Sequence, residues 1–479
     1  MKLKPILLSA ALLVALSGEA KVKLSSLWGD GMVLQQSEDV LFWGEAKAGA
    51  KLTITPSWSE KSYTTKVDRD GTWQIKIPTA AASCESHEII FNDGQELKLS
   101  NVLLGEVWLC MGQSNMELNM KGNNSQPIEG AAEMVTLAKA ERPIRMFKET
   151  LNPSPKELAT CSGEWRLSTP ENVLNYSATG YFFADYLNRA LDVPVGLINV
   201  SWGGSTIEHW MSREWLSKVK EYDLSQQDAG EMSDNSRRDP LYGYNGMVVP
   251  LKGLTFKGIL WYQGEANRSA YQDYGALLAS FVGGLREFFD IGTFPFYYAQ
   301  IAPLSYPTDG NNERMRVAMA EAESTIERCG MVTLTDVGEP MCIHPRYKRQ
   351  VGQRFAYWAL GDAYGIKSIE YRSPKYAGVK LMPAAKKIPV SLGVKFDYAP
   401  QGINYGNTIN SENLEIAGED RIFYPAESTI IRDSEYQLRV WSKKVPNPVA
   451  VRYAFKPYAK GDIFNNYGIP ISTFRSDNW

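Results

Sequence analysis

Between residues 101 and 365 short apolar runs alternate with longer segments of helical character. No other feature of the sequence restricts the fold as much. The apolar runs lie at 105–111, 195–200, 256–262, 294–301 and 331–335. Helix-length stretches occupy roughly 127–140, 177–191, 274–289, 312–328 and 347–360. Successive strands that run the same way need a crossover connection, and a helix on the sheet face is the usual one. The region 101–370 is therefore expected to be an α/β domain built on a parallel sheet. Ligands of such sheets bind outside the carboxyl ends of the strands, so the residues that follow each run are where chemistry is to be sought.

Four of these strand ends carry reactive or donor groups. The first run, Val107-Trp108-Leu109-Cys110-Met111, gives way to Gly112-Gln113-Ser114-Asn115, a turn into a helix. Ser114 is placed there like a nucleophile, although Met116 stands where the second glycine of a G-x-S-x-G elbow would be. The second run leads into Ser201-Trp202-Gly203-Gly204-Ser205-Thr206, the third into Gln263-Gly264-Glu265, and the fifth into a loop carrying Asp336 and His344. A serine hydroxyl needs a base. Of the three histidines, His87 falls in a strand-rich N-terminal region and His209 in the second loop, so His344 is the base candidate. Acyl transfer also needs donors for an oxyanion. The N–H groups of Ser114 and of a glycine in Gly203-Gly204, and the side-chain amide of Gln263, fit that need. Each feature also has a plain structural reading: a helix cap, a tight turn, a loop amide satisfying backbone. Their coincidence on successive strand ends favours the chemical one.

Around this domain the pattern differs. Residues 1–20 read as a secretory signal: Lys2 and Lys4, an apolar stretch too short to span a bilayer, then Gly18-Glu19-Ala20. Residues 21–100 hold short alternating runs with Asp70-Gly71 and Asp93-Gly94 turns, as in a small β-sandwich. Residues 371–479 read as a second β-rich region, and the polar loop 220–245 is long enough to border a site. Fifty-one basic residues nearly balance fifty-four acidic ones, which gives no footprint for nucleic acid. Five scattered cysteines lack C-x-x-C spacing, and no H-E-x-x-H occurs, so neither a metal nor another cofactor is expected. No membrane insertion is expected once the signal is removed. Oligomeric state is not legible.

In order, GQSNM, SWGGSTIEHW, WYQGEAN and IHP resemble the serine, glycine, amide and histidine blocks of SGNH hydrolases. More closely, the chain resembles the sialate O-acetylesterase family of carbohydrate acetylesterases, from SLWGDGMVLQQ through LYGYNGMVVPL to NPVAVRYAF and FRSDNW. The resemblance implies a three-layer α/β/α SGNH-hydrolase domain with a parallel sheet, accompanied by N-terminal and C-terminal β-rich regions. It implies metal-independent removal of acetyl groups from sugar hydroxyls, with an acetylated glycan or sialic acid as substrate. Position by position, Ser114 would be the nucleophile, His344 the base, and Gly204 and Gln263 oxyanion donors. The usual acid before the histidine is missing: Met341 and Cys342 stand three and two places ahead of His344. Asp336, Glu339 or a backbone carbonyl is left to orient the ring, with Asp336 the third triad member among the side chains. Arg268 is a candidate contact for an acidic sugar. Glu208 and His209 read as substrate contacts or, with Trp210, as packing. Acetylxylan or another polysaccharide is the alternative substrate, and a non-catalytic carbohydrate-binding protein is the alternative of another class.

Overall fold

The structure, a computed structural model, describes residues 22–305, 311–406, 410–432 and 434–479. The expected signal, residues 1–20, lies outside the described residues.

The centre of the molecule is a sheet whose strands are β1 (Glu96–Gly112), β2 (Ile144–Glu149), β3 (Gly163–Leu167), β4 (Val195–Ser201), β5 (Gly258–Tyr262), β6 (Phe296–Ala299) and β7 (Cys329–Val332). They lie in the order β3-β2-β4-β1-β5-β6-β7, all parallel except the antiparallel edge strand β3. The five runs read as strands are β1 and β4 to β7. They were legible because strands buried on both faces read as continuous apolar stretches. Successive residues of β1 serve opposite faces, as the pleat requires. Val107, Leu109 and Met111 join one core with Trp261 and Phe281, while Trp108 and Cys110 join the other with Leu260 and Tyr297.

Four longer helices cover the sheet: α2 (Ala178–Leu191), α3 (Tyr271–Phe289), α4 (Asn312–Ala322) and α5 (Lys348–Trp358). Tyr181, Phe182, Val351 and Phe355 place α2 and α5 on the Trp108 side. Leu277, Phe281, Met315 and Met319 place α3 and α4 on the other. Helix α2 starts at a Ser177 cap, whose hydroxyl accepts from Gly180 N at 3.0 Å and donates to Met116 O at 2.6 Å. The cap thereby also holds the short helix α1 (Ser114–Glu117).

β1 is seventeen residues long and runs unbroken through residue 100. Its first half pairs with Ser83–Asn92 and Val33–Gln35, and its second half is the centre of the parallel sheet. The expected boundary at 100/101 therefore falls inside one strand. The composition changes there because burial changes, not because the strand ends. C-terminal to the α/β region, two four-stranded sheets enclose a separate core that includes Leu392, Val394, Ile416, Val440 and Val451. Arg316 of α4, fully buried, fastens this β region by donating to Thr473 Oγ1, Ala454 O, Lys456 O and Pro457 O at 2.6–3.2 Å.

Candidate active site

Gly112, Ser201 and Tyr262 share one register row at the carboxyl ends of β1, β4 and β5. The chain leaves the sheet from this row. Gly112 has φ +137°, and a Cβ there would lie 2.2 Å from Tyr262 O, so only glycine lets β1 approach β5 this closely. Gln113 stays extended and is pinned to β5: its N–H donates to Tyr262 O at 2.9 Å, and its Oε1 accepts from Gly264 N and Ala266 N. Ser114 is then the first helical residue of α1, and its own N–H has no intrahelical partner.

Asn115, wholly buried, gathers the loops. Its Nδ2 donates to Glu265 Oε1 at 2.5 Å and to Ile343 O at 3.1 Å, while its Oδ1 accepts from Lys348 Nζ. Ser114 precedes this staple and His344 follows it, so the loops that bear these residues, 230 positions apart, are tied together at one sheet edge. The Ser114 hydroxyl accepts and donates no hydrogen bond among the described residues. Burial pulls the Lys348 ammonium down to about 7 against the opposing pull of Glu265, and burial likewise raises the Glu265 carboxyl.

The glycine turn faces the serine. A Cβ on Gly203 would lie 3.4 Å from Ser114 Cβ. Gly203 N–H is committed to Glu117 Oε2 at 2.6 Å, whereas Gly204 N–H has no partner among the described residues. Gly204 is thus the glycine of the pair with an open N–H. The expectation of Gln263 as a donor is not met. Its Nε2 donates to Ser205 O at 3.1 Å and Asn267 Oδ1 at 2.6 Å, and its Oε1 accepts from Tyr274 Oη, so a fully buried amide has no hydrogen left for an oxyanion. Asn267 continues the chain by donating to Glu208 Oε2 at 2.8 Å and accepting from Ile207 N. Gln263, Asn267 and Glu208 thus fix the 202–210 turn.

His209 is buried between the rings of Trp202 and Trp210, with Nδ1 at 3.2 Å from Asp239 O, so it and Glu208 are packing groups. Arg268 is buried too, and its charge acts on Glu265.

His344 sits at the tip of a loop closed by Glu339, which accepts from Arg346 N at 2.9 Å and Arg346 Nε at 2.8 Å. Its Nδ1 lies 2.8 Å from Gln126 Oε1, a partner that the sequence did not reveal. Burial first, and the nearby Lys348 charge second, hold the imidazole down to about 4. Asp336 is not the orienting group. Both its oxygens accept from Arg354 of α5, at 2.8 and 2.6 Å, because Arg354 reaches back from the helix to the end of β7. Glu339 is committed to Arg346 in the same way, and Met341 is exposed. Among the described residues no group of three His, Cys, Asp or Glu side chains could hold a metal ion.

Residues 104–360 match the carbohydrate esterase family of sialic acid-specific acetylesterases. The chain belongs to this family. It is 28% identical over 412 residues to the sialate O-acetylesterase of Rattus norvegicus, covering 73% of this chain and 75% of the relative. It is 26% identical over 397 residues to that of Homo sapiens, with coverage of 75% and 74%. The fold is similar to the crystal structure of a carbohydrate acetylesterase from Xanthomonas citri, with TM-score 0.85 and 30% identity over 96% of this chain and 100% of that one. The enzyme is a carbohydrate acetylesterase, and the reading as a non-catalytic binding protein falls. The rim that carries Ser114, Gly203-Gly204 and the His344 loop is the candidate site.

Proposed function

We propose that Ser114 is the nucleophile and His344 the base of an SGNH-type serine esterase that removes O-acetyl groups from sialic acids. The observation that supports the assignment is the Asn115 staple, which ties the loop of an unbonded serine hydroxyl to the loop of a histidine whose Nδ1 is already held. Ser114 Oγ attacks the acetyl carbonyl carbon while its proton passes to His344 Nε2. The resulting oxyanion meets the N–H groups of Ser114 and Gly204. Each such donor is worth ~2.7–4 kcal/mol of transition-state stabilisation. Collapse expels the sugar oxygen, which takes the proton back from His344. A water then repeats the sequence on the acetyl-serine and frees acetate.

The sugar has a place to lie. Beyond Glu117 a cavity of about 440 Å³ is lined by Lys148, Arg166, Asn172, Asn175 and Tyr176. Arg166 is already paired with Glu164. Lys148 makes no ion pair among the described residues and is the cation left for a substrate carboxylate, although Glu117, Glu149 and Glu164 line the same cavity; the preference for sialic acid rests on the family. Export is part of the same reading, because residues 1–20 have the composition of a cleavable signal.

The test is acetate release from O-acetylated sialic acid and from acetylated xylan, with Ser114→Ala and Lys148→Ala. Ser114→Ala should lower kcat/KM at least ~10³-fold on both at unchanged melting temperature. Lys148→Ala should raise KM for the acidic sugar alone. Activity within tenfold of wild type in Ser114→Ala would remove the nucleophile. Faster turnover of acetylxylan by the wild type would move the substrate to neutral polysaccharide.

A further inference from the structure

We propose that Gln126 is the positioning residue of His344, an uncharged amide doing in this enzyme what a carboxylate does in a Ser-His-Asp triad. The proposal rests on the reading of His344 as base. Because Gln126 Oε1 has no proton to give, the 2.8 Å contact requires that Nδ1 carry the hydrogen and donate it. That fixes the tautomer in which Nε2 has its lone pair free toward Ser114. The same bond sets the plane of the ring.

The loop is constructed to present this one side chain. Asn123 and Gln126 form an isolated antiparallel bridge, with Asn123 N to Gln126 O at 3.1 Å and Gln126 N to Asn123 O at 2.8 Å. Both backbone groups of Gln126 are thereby held. Gly122, at φ +72°, leaves room for Gln126 O, which would lie 2.4 Å from a Cβ there. Ser125 is held at φ +59°, a conformation that L-residues rarely adopt. Three residues on, Glu129 N donates to Arg346 O at 3.0 Å, which ties this loop to the one that bears His344. No carboxylate competes. Asp336 and Glu339 are bound by arginines, and Glu265 reaches the region only through Asn115.

The substitution has a chemical consequence. In the transition state the imidazole becomes imidazolium, and a carboxylate at Nδ1 would stabilise that charge and make the free ring a stronger base. An amide offers only its dipole. The groups facing His344 add no negative charge: Lys348 stands on α5, Arg346 is neutralised by Glu339, and Cys342 donates to His344 O at 3.1 Å. The ring therefore stays unprotonated, and competent as a base, in acid solution where a carboxylate-backed histidine would already be charged.

The test is the pH dependence of kcat/KM on an aryl acetate for wild type, Gln126→Glu, Gln126→Ala and His344→Ala, with circular dichroism to verify folding. The wild-type acid limb should fall near pH 4, where burial and Lys348 place the ring. Gln126→Glu keeps the acceptor and adds a charge. Its acid limb should move up by about 1–2 pH units, a loss of roughly 3–25-fold at pH 4.5 with activity retained at pH 8. Gln126→Ala should lose about 10²-fold in kcat at every pH with KM little changed, less than the ~10⁴-fold that a wrong tautomer causes. A merely structural Gln126 would lower the amount of folded enzyme and leave the limb in place. An unmoved limb in Gln126→Glu, or Gln126→Ala within twofold of wild type, overturns the proposal while His344 remains the base. An active His344→Ala overturns the underlying site instead.

Discussion

Asp336→Asn separates what the loop after β7 does for stability from what it does for catalysis. The carboxylate takes two hydrogen bonds from Arg354, at 2.8 and 2.6 Å, and the side chains keep only 16% and 10% of their exposure. Arg354 also donates to Thr333 O at 3.0 Å, so the guanidinium is locked between the end of β7 and the helix that follows His344. An exposed pair of this kind would contribute ~0–1 kcal/mol. Stranding the partner of a buried one costs about 3–5 kcal/mol. Asparagine keeps one acceptor but removes the charge and the twin geometry, which places the expected loss at roughly 2–3 kcal/mol. At ~2–4 °C per kcal/mol for a large domain, melting should fall by roughly 5–10 °C.

Activity measured well below the new melting temperature should stay within about threefold in kcat/KM, because neither Asp336 oxygen faces the imidazole. The assay pairs differential scanning fluorimetry with hydrolysis of an aryl acetate, on Asp336→Asn, Arg354→Gln and the double variant. The double variant should be no less stable than the worse single one, since each change removes the same interaction. A kcat loss of a hundredfold or more at unchanged melting temperature would refute this reasoning and return Asp336 to the triad.

His209 is buried and held down to about 4 against an ordinary 6.5, chiefly by burial. The folded state refuses a proton that the unfolded chain accepts, so stability is full above pH 6.5 and is lost as pH falls toward 4, by ~1.4 kcal/mol per pH unit and ~3 kcal/mol in all. His209→Gln should flatten that slope in urea titrations at pH 7 and 4.5, leaving the part due to His344, His87 and the shifted carboxyls; an unchanged slope would mean that the ring titrates as if exposed. Gly112→Ala should cost more than ~3 kcal/mol and most of the activity, because the new methyl group meets Tyr262 O at 2.2 Å. Gly283→Ala on α3, where nothing lies within 4 Å of the added carbon, should leave activity unchanged and raise stability by up to ~1 kcal/mol. Equal melting temperatures for these two glycine variants would undo the argument about the Gly112 row.

The parts of the fold that were legible are those where burial is uniform. VWLCM, GLINV and GILWY are apolar from end to end because both faces are covered, and no other element produces such a run beside a helical pattern. β2 and β3 went unseen for the converse reason. IRMFKE carries three charged residues, of which Arg145 and Glu149 are buried, and GEWRL lies at the sheet edge with alternate positions exposed. Charge in a run argues for a loop, yet Arg145 is buried by donating to Arg142 O just before the strand, and burial raises the Glu149 carboxyl. The positions of Ser114 and Gly204 could be read because they depend on strand ends, which are local. The partner of His344 could not, because LNMKGNNSQPIEG reads only as a polar turn, and Gln126 acquires its role from a ring 218 residues away.

What sequence reasoning mistook was not residue type but availability. Gln263 has the chemistry of an oxyanion donor, Asp336 that of a triad acid and Arg268 that of an anion contact. The structure engages the first two with their own neighbours, Gln263 with Ser205 and Asn267 and Asp336 with Arg354, while Arg268 is buried beside Glu265. A buried polar group must find an internal partner, and a group that has one is withdrawn from chemistry. The Ser114 hydroxyl and the Gly204 N–H are the opposite case. Both are half-buried, so that water can satisfy them at rest, and neither has a partner among the described residues. A substrate replaces that water without breaking any bond of the protein, which is what a preorganised site requires. By that criterion the useful question of a strand-end serine or glycine is whether anything nearby already claims it. Here Asn115, Glu117 and Gln113 do the claiming, and they leave the two groups between them open.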